Sequence, residues 1–282
     1  MPNETILVTG DRGTIGQRLI PHLKAQGFNV VGTRRPEEVT ECEYNQVEIQ
    51  PFCEIETSRI DVIINLAGLY ANGSDPKTQE RMFQANLGIA VSVANLGMTL
   101  KIPIIHAGTF FEFAPPEMSP WSGYSISKAA AAETFRESAS RSQGGFMELV
   151  LYDNYGGSTG RKKFIDQLLE LASAETALEA TLGSQVQDLT HLDDVCRAFL
   201  TAVNFMLSNR KFVGVRQVRS REVLTLREIV SLFNAQRVEP LKVNWGSLNY
   251  RDKEVFQIWD SAPNLENWSA TVKLKEYFEN LS

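Results

Sequence analysis

Ile6-Leu7-Val8-Thr9-Gly10-Asp11-Arg12-Gly13-Thr14-Ile15-Gly16 is the stretch that decides how this chain folds. A short apolar run enters three glycines at GxxGxxG spacing, and a helical pattern follows over 14–26. The first glycine permits a tight turn, the second lets the backbone approach a pyrophosphate, and Gly16 lets the helix press against the sheet. Exposed N–H groups at the start of such a helix bind an anion. The plainer alternative is a glycine turn without a ligand, and the flanking strand and helix argue against it.

Working outward, short β-rich runs at 6–9, 29–33, 62–66, 102–106 and 148–151 alternate with helical patterns at 14–26, 76–100 and 123–142. This rhythm predicts an α/β fold: a Rossmann-type doubly wound parallel sheet with its ligand crevice at the strands' carboxyl ends. After Tyr155-Gly156-Gly157 the rhythm becomes irregular, with helices predicted at 162–173, 193–207, 225–236 and 270–281 and strands at 186–190 and 212–218. Thr225 and Glu228 open one of these helices as a capping box. The predicted division is a dinucleotide-binding domain over 1–156, with 186–208 returning to it, and a smaller C-terminal α/β substrate lobe over 157–282.

The 282 residues are 43% hydrophobic and 22% charged, which is the balance of a soluble globular protein. No apolar run is expected to reach the roughly eighteen residues that span a bilayer. Met1-Pro2-Asn3-Glu4 leads directly into the first strand without a basic region or cleavage site, unlike a signal peptide. The three scattered cysteines, Cys42, Cys53 and Cys196, suggest neither a disulfide framework nor a zinc knuckle, so a reducing cytoplasm is expected. A formal net charge of −6 argues against nucleic-acid binding. His22, His106 and His191 are too dispersed for a metal site, and the GxSxG elbow of a hydrolase is absent.

The second strand should end beside an adenosine ribose, where an acid would hold a 2′-hydroxyl and a basic side chain a 2′-phosphate. Val30-Val31-Gly32-Thr33-Arg34-Arg35 offers two arginines and no acid, so NADP(H) is expected rather than NAD(H). Two solvated loop arginines are the alternative. Tyr124 and Lys128 stand four apart on one helix face, and an ammonium near a phenol stabilises the phenolate. The spacing alone is common; its position after a strand of the glycine-loop sheet gives it weight.

These residues together resemble the extended short-chain dehydrogenase/reductase family. The likeness runs through the glycine loop, Asn65-Leu66-Ala67-Gly68, Asn86, Tyr124, Lys128, Tyr155-Gly156 and the segment Gln187-Asp188-Leu189-Thr190-His191-Leu192-Asp193-Asp194-Val195. Within the family it is most similar to the sugar-nucleotide epimerase, dehydratase and ketoreductase branch, and Ile104-Ile105-His106-Ala107-Gly108-Thr109 is similar to the strand carrying its catalytic threonine.

The resemblance implies that Lys128 holds the nicotinamide ribose and lowers the pKa of Tyr124, that Thr109 bonds a substrate carbonyl, and that Tyr124 protonates it. Asn86 would anchor a water or, alternatively, bond helix backbone. The implied cofactor site comprises Thr9, Gly10, Arg12, Gly13, Thr14, Ile15, Gly16, Arg34, Arg35, Leu66, Ala67, Gly68, Lys128 and Tyr152. The implied substrate site comprises Thr109, Phe110, Asn154, Lys162, Lys163 and Gln187, although the patch Phe110-Phe111-Glu112-Phe113 also reads as core. Two departures stand out: Thr109 precedes Tyr124 by only fifteen residues, and Gln187 stands where relatives often carry arginine. Arg161, Lys162 and Lys163 would then face a diphosphate. The implied activity is NADPH-dependent reduction of a 4-keto group on a nucleotide-linked deoxysugar by a homodimer paired through 76–100 and 123–142. A sugar-nucleotide epimerase or dehydratase is the alternative, and a non-catalytic NADP sensor a further one. Dehydratases commonly place Asp-Glu directly after the threonine, where this chain has Phe110-Phe111.

Overall fold

A computed structural model describes residues 4–34, 48–51, 59–71, 75–157, 163–173 and 176–281, with backbone alone at 34 and 48–51. The glycine-loop strand β1 (Thr5–Thr9) is buried at every position and lies inside a seven-stranded sheet. Its companions are β2 (Asn29–Arg34), β3 (Glu48–Pro51), β4 (Ile60–Asn65), β5 (Ile104–Thr109), β6 (Phe146–Leu151) and β10 (Val213–Val218), in the order β10-β6-β5-β4-β1-β2-β3. Every pairing is parallel except β2 with β3. Strand order reverses at β1, so the crevice predicted from the glycine loop opens between the carboxyl ends of β1 and β4.

Two helical layers cover the sheet. On one face α1 (Thr14–Ala25) and α6 (Leu192–Ser208) bury Ile6, Val8, Ile105, Ala107, Met147 and Leu149. On the other, α3 (Ile89–Leu100) and α4 (Gly123–Ser142) cover Leu7, Ile63, Ile104 and Phe146. The helix expected over 76–100 is continuous but contains a π-helical turn at Gln84–Gly88, between α2 (Pro76–Phe83) and α3. By length and composition alone Pro76–Leu100 is long and apolar enough to cross a membrane, contrary to the expectation from sequence. Ala90, Val93, Ala94 and Gly97 along it are buried beneath the sheet and α4.

A second apolar cluster gathers α5 (Phe164–Ser173), β8 (Leu178–Ala180), α7 (Leu226–Asn234), β12 (Val243–Trp245) and α8 (Leu274–Glu279) around Ile165, Leu168, Ile229, Phe233 and Phe278. A small sheet of β7 (Asp153–Tyr155), β9 (Val186–His191) and β11 (Val223–Thr225) joins this cluster through Tyr155, Leu189 and Leu224. The division at 156 therefore needs refinement. Val213–Val218, expected in the smaller lobe, closes the edge of the main sheet against β6. Of the segment 186–208, α6 packs on the main sheet, whereas β9 pairs with β7 and β11. Three-residue strands carry too little alternation to be seen in sequence, which is why β7, β8, β11 and β12 went unanticipated.

Candidate active site

The glycine turn is held where the first strand ends. Gly10 has φ of +70°, and a Cβ there would lie 2.7 Å from Ala67 N. A side chain at Gly16 would collide with the Gly10 carbonyl oxygen, so helix and turn meet at backbone distance. Gly13 N donates to Gly10 O at 2.9 Å, and among the described residues no side chain caps α1, so its first-turn N–H groups suit an anion. Thr9 Oγ1 donates to Asn65 Oδ1 at 2.6 Å and accepts from Ala67 N at 3.3 Å. This stitches Leu66-Ala67-Gly68 to the glycine turn. Thr14 and Ile15 begin α1, while Arg12 is exposed beside them. A cradle from which side chains are sterically excluded, closed by uncapped amides, fits a dinucleotide diphosphate. The side chains of Arg34 and Arg35, and all of Arg161 and Lys162, lie outside the described residues.

The start of α4 positions Tyr124 and Lys128. Ser122 and Ser125 form a capping box, Ser122 N donating to Ser125 Oγ at 2.9 Å and Ser125 N to Ser122 Oγ at 3.2 Å. That fixes the first turn, which carries Tyr124; Lys128 follows one turn later. Tyr124 is half-buried, with Tyr70 edge-on at 5.0 Å between ring centroids. Lys128 is only 4% exposed. A Cβ built on Gly68 would lie 3.5 Å from Asn86 Oδ1 and 3.9 Å from Lys128 Nζ, so ammonium, amide and the Gly68 turn converge. Burial pulls the Lys128 ammonium down to about 8, against the opposing pull of Glu112 and Glu148.

Asn86 sits in the π-turn, a backbone irregularity that often marks functional positions. Its amide accepts from Leu69 N at 2.6 Å and donates to Leu69 O at 3.1 Å and Ser127 Oγ at 2.8 Å. It thus ties the turn after β4 to α4 rather than bonding helix backbone. Ser127, which sequence reasoning passed over, completes the tie by donating to Tyr124 O at 2.7 Å.

Thr109 ends β5, half-buried, and its N–H donates to Glu112 Oε1 at 2.6 Å. Glu112 and Glu148 are buried behind it at 3% and 1% exposure. Sequence reading missed both, although a lone acid in the apolar run Phe146-Met147-Glu148-Leu149-Val150-Leu151 was the available signal.

Other expected site residues are dispersed. Phe110, at 1% exposure, stacks on Tyr152 with centroids 5.1 Å apart and packs with Val150 and Trp259. Its ring backs the site as core instead of lining it, which corrects its assignment to substrate binding. The Tyr152 hydroxyl is also buried, 2.7 Å from the Trp259 carbonyl oxygen. Lys163 Nζ donates to Asn154 O at 3.0 Å and to Asn154 Oδ1, bringing those two residues together. Gln187 Oε1 is buried and has no hydrogen-bond partner among the described residues. Its neighbour Asp188 accepts from the buried Arg219 Nε at 2.6 Å, from Ser220 Oγ at 2.8 Å and from Ser220 N at 2.9 Å. Arg219 is a buried cation beside the small sheet that sequence reading did not single out. Lys253 Nζ donates to Trp121 O at 2.9 Å and links the C-terminal segment to the loop before α4. Among the described residues no group of acids, histidines and cysteines could hold a metal.

Comparison with known proteins places this geometry in context. The family described as NAD dependent epimerase/dehydratase matches residues 6–213. The chain is similar to the CDP-abequose synthase of Salmonella typhimurium, with 26% identity over 303 residues covering 99% of this chain and 97% of that protein. Among solved structures it resembles the UDP-glucuronic acid 4-epimerase of Bacillus cereus in complex with UDP-glucuronic acid and NAD, with a TM-score of 0.77, 20% identity and coverage of 99% and 100%. It also resembles RMD from Pseudomonas aeruginosa complexed with NADPH, with a TM-score of 0.75, 16% identity and coverage of 98% and 97%. These structural likenesses confirm the parallel sheet flanked by helices.

Proposed function

The chain belongs to the NAD dependent epimerase/dehydratase family, and from that premise we propose that it reduces the 4-keto group of a nucleotide-linked deoxysugar, using NADPH. The observation that carries the proposal is the convergence of Lys128 and Asn86 on the Gly68 turn, with Tyr124 on the same helix as Lys128 and the turn stitched to the glycine loop. The dinucleotide, when bound, supplies the hydride.

The residues of the chain supply the rest. Lys128, cationic below about pH 8, stabilises negative charge at the Tyr124 oxygen and binds the cofactor's ribose. Tyr124 gives its proton to the substrate's carbonyl oxygen as that oxygen becomes an alkoxide. Thr109 donates a hydrogen bond to the same oxygen, and its backbone is held ready by Glu112. Asn86 and Ser127 fix the distance between the Gly68 turn and α4. Lys163, held by Asn154, supplies a cation for the sugar nucleotide. Arg34 and Arg35 favour NADPH through its 2′-phosphate. The similarity to CDP-abequose synthases supports a nucleotide-linked deoxysugar as substrate. Val91 and Ile126, large apolar side chains at 39% and 47% exposure on α3 and α4, support a homodimer. The buried free thiol of Cys196 is in keeping with a cytoplasmic protein.

A panel of CDP-, dTDP-, UDP- and GDP-linked 4-ketosugars with NADPH and NADH tests the proposal. Consumption of NADPH with one of them supports it. Binding without turnover points to a sensor, and interconversion of sugar epimers without net cofactor oxidation to an epimerase.

A further inference from the structure

Beneath Thr109 lies a group of ionisable side chains that the reaction above leaves unexplained. Glu148 projects from the middle of β6, and Glu112 from the single helical turn Phe110–Phe113 that follows β5. Both are almost wholly buried. Isolated carboxylates in such a place carry a heavy desolvation cost.

Their surroundings do not neutralise two negative charges. From α4, Arg136 reaches to 3.5 Å of Glu148 Oε2, but its side chain is 38% exposed and also pairs with Glu133. From β5, His106 accepts at Nδ1 from Asn65 Nδ2 at 3.0 Å, and burial holds its pKa well below the usual value, so it is neutral. Among the described residues the other cation facing the pair is Lys128 of α4. The two carboxyl groups meet at Gly108. A Cβ placed there would lie 2.7 Å from Glu148 Oε1 and 3.3 Å from Glu112 Oε1. Glu148 Oε1 is buried and finds no donor among the described residues. A proton on either carboxyl gives that oxygen its missing partner. Neighbouring carboxyls of this kind cannot both ionise.

We propose that Glu112 and Glu148 form a buried pair that shares one proton and presents a single negative charge to Lys128, so that both are positioning residues for the site. Burial and the neighbouring Glu148 push Glu112 up to about 8, and burial likewise raises Glu148, as expected of carboxyls that titrate as one unit. Gly108 belongs to the same arrangement, because any side chain there would fill the space in which the two oxygens meet. The shared charge offsets the burial of Lys128 and keeps it cationic up to about pH 8. That catalytic consequence rests on the proposed reductase reading; the proton count does not.

Infrared spectroscopy of the full chain, with isotope-labelled glutamate and pH varied from about 6 to 9, reads the count directly. The wild type is expected to show one protonated buried carboxyl at neutral pH. Glu112→Gln and Glu148→Gln are each expected to lose that band, because the remaining partner ionises beside Lys128. Both substitutions preserve shape, and circular dichroism reports whether each variant folds; if Glu148→Gln does not, Glu112→Gln alone decides. No band in the wild type, or a band persisting in a folded single variant, overturns the proposal. With a turned-over 4-ketosugar, the alkaline limb of the pH–rate profile should stay within a few tenths of a unit in either single variant. In the double variant it should fall by about one unit. A merely structural role would lower the rate without moving the limb. Failure to turn over any 4-ketosugar would sink the reductase reading and leave the infrared count standing.

Discussion

The two faces of β5 and β6 are built to different ends. Toward α1 and α6, Ile105, Ala107, Met147 and Leu149 are uniformly apolar, as a parallel strand between helical layers should be. Toward α4 the strands start in the same way, with Ile104 and Phe146, and then change to His106 and Gly108 on β5 and Glu148 on β6, before Val150 returns β6 to apolar packing. The apolar face holds the fold, and the polar half-face sets the charge under Thr109 and Lys128. Residues one position apart on a strand can therefore carry unrelated duties.

Changing the proposed proton donor, which α4 carries over that polar face, has the largest expected effect. Tyr124→Phe should lower kcat/KM by about 10²–10⁴-fold, with NADPH binding by calorimetry retained. Substitutions at adjacent positions of β6 then separate the faces. Leu149→Ala, emptying a fully buried site, should cost about 2–5 kcal/mol in denaturant unfolding and leave the alkaline limb of the pH–rate profile in place. Glu148→Leu should cost far less stability, because it removes a buried carboxyl, yet it should alter the infrared carboxyl band. A loss equal to that of Leu149→Ala would break the comparison.

The pH profile of the wild type gives a further test. The proposed reduction requires Tyr124 protonated and Lys128 charged. Lys128 has its pKa lowered by burial to about 8 and loses its proton as pH rises through that value, so the rate should decline above about pH 8. The smallest effect belongs to Arg136→Gln. Arg136 lowers the pKa of Glu148, so its loss should let the protonated-carboxyl band persist to a pH a few tenths of a unit higher.

The dinucleotide half was legible in sequence because each signal is local. Gly10, Gly13 and Gly16 report a backbone approach within one turn, and Tyr124 with Lys128 reports a helix face. The contacts around the smaller lobe and behind Thr109 were not, because they join residues far apart in the chain. Arg219 meets Asp188, Lys253 meets Trp121, and Glu112 meets Glu148 only after the sheet and the small lobe have formed. Phe110 misled for a related reason: its neighbours Tyr152 and Trp259, which make it core, come from later segments. Periodicity also failed where strands are three residues long, as at β7 and β11.

Net reduction of a 4-keto group with Tyr124 as proton donor is tested most directly by transfer of deuterium from 4-deuterated NADPH. The expected result is a released sugar nucleotide carrying deuterium on carbon 4, formed in step with NADP, and no such product from Tyr124→Phe. Epimerised product with the label still on the cofactor, or labelled product from the phenylalanine variant at the wild-type rate, would contradict it.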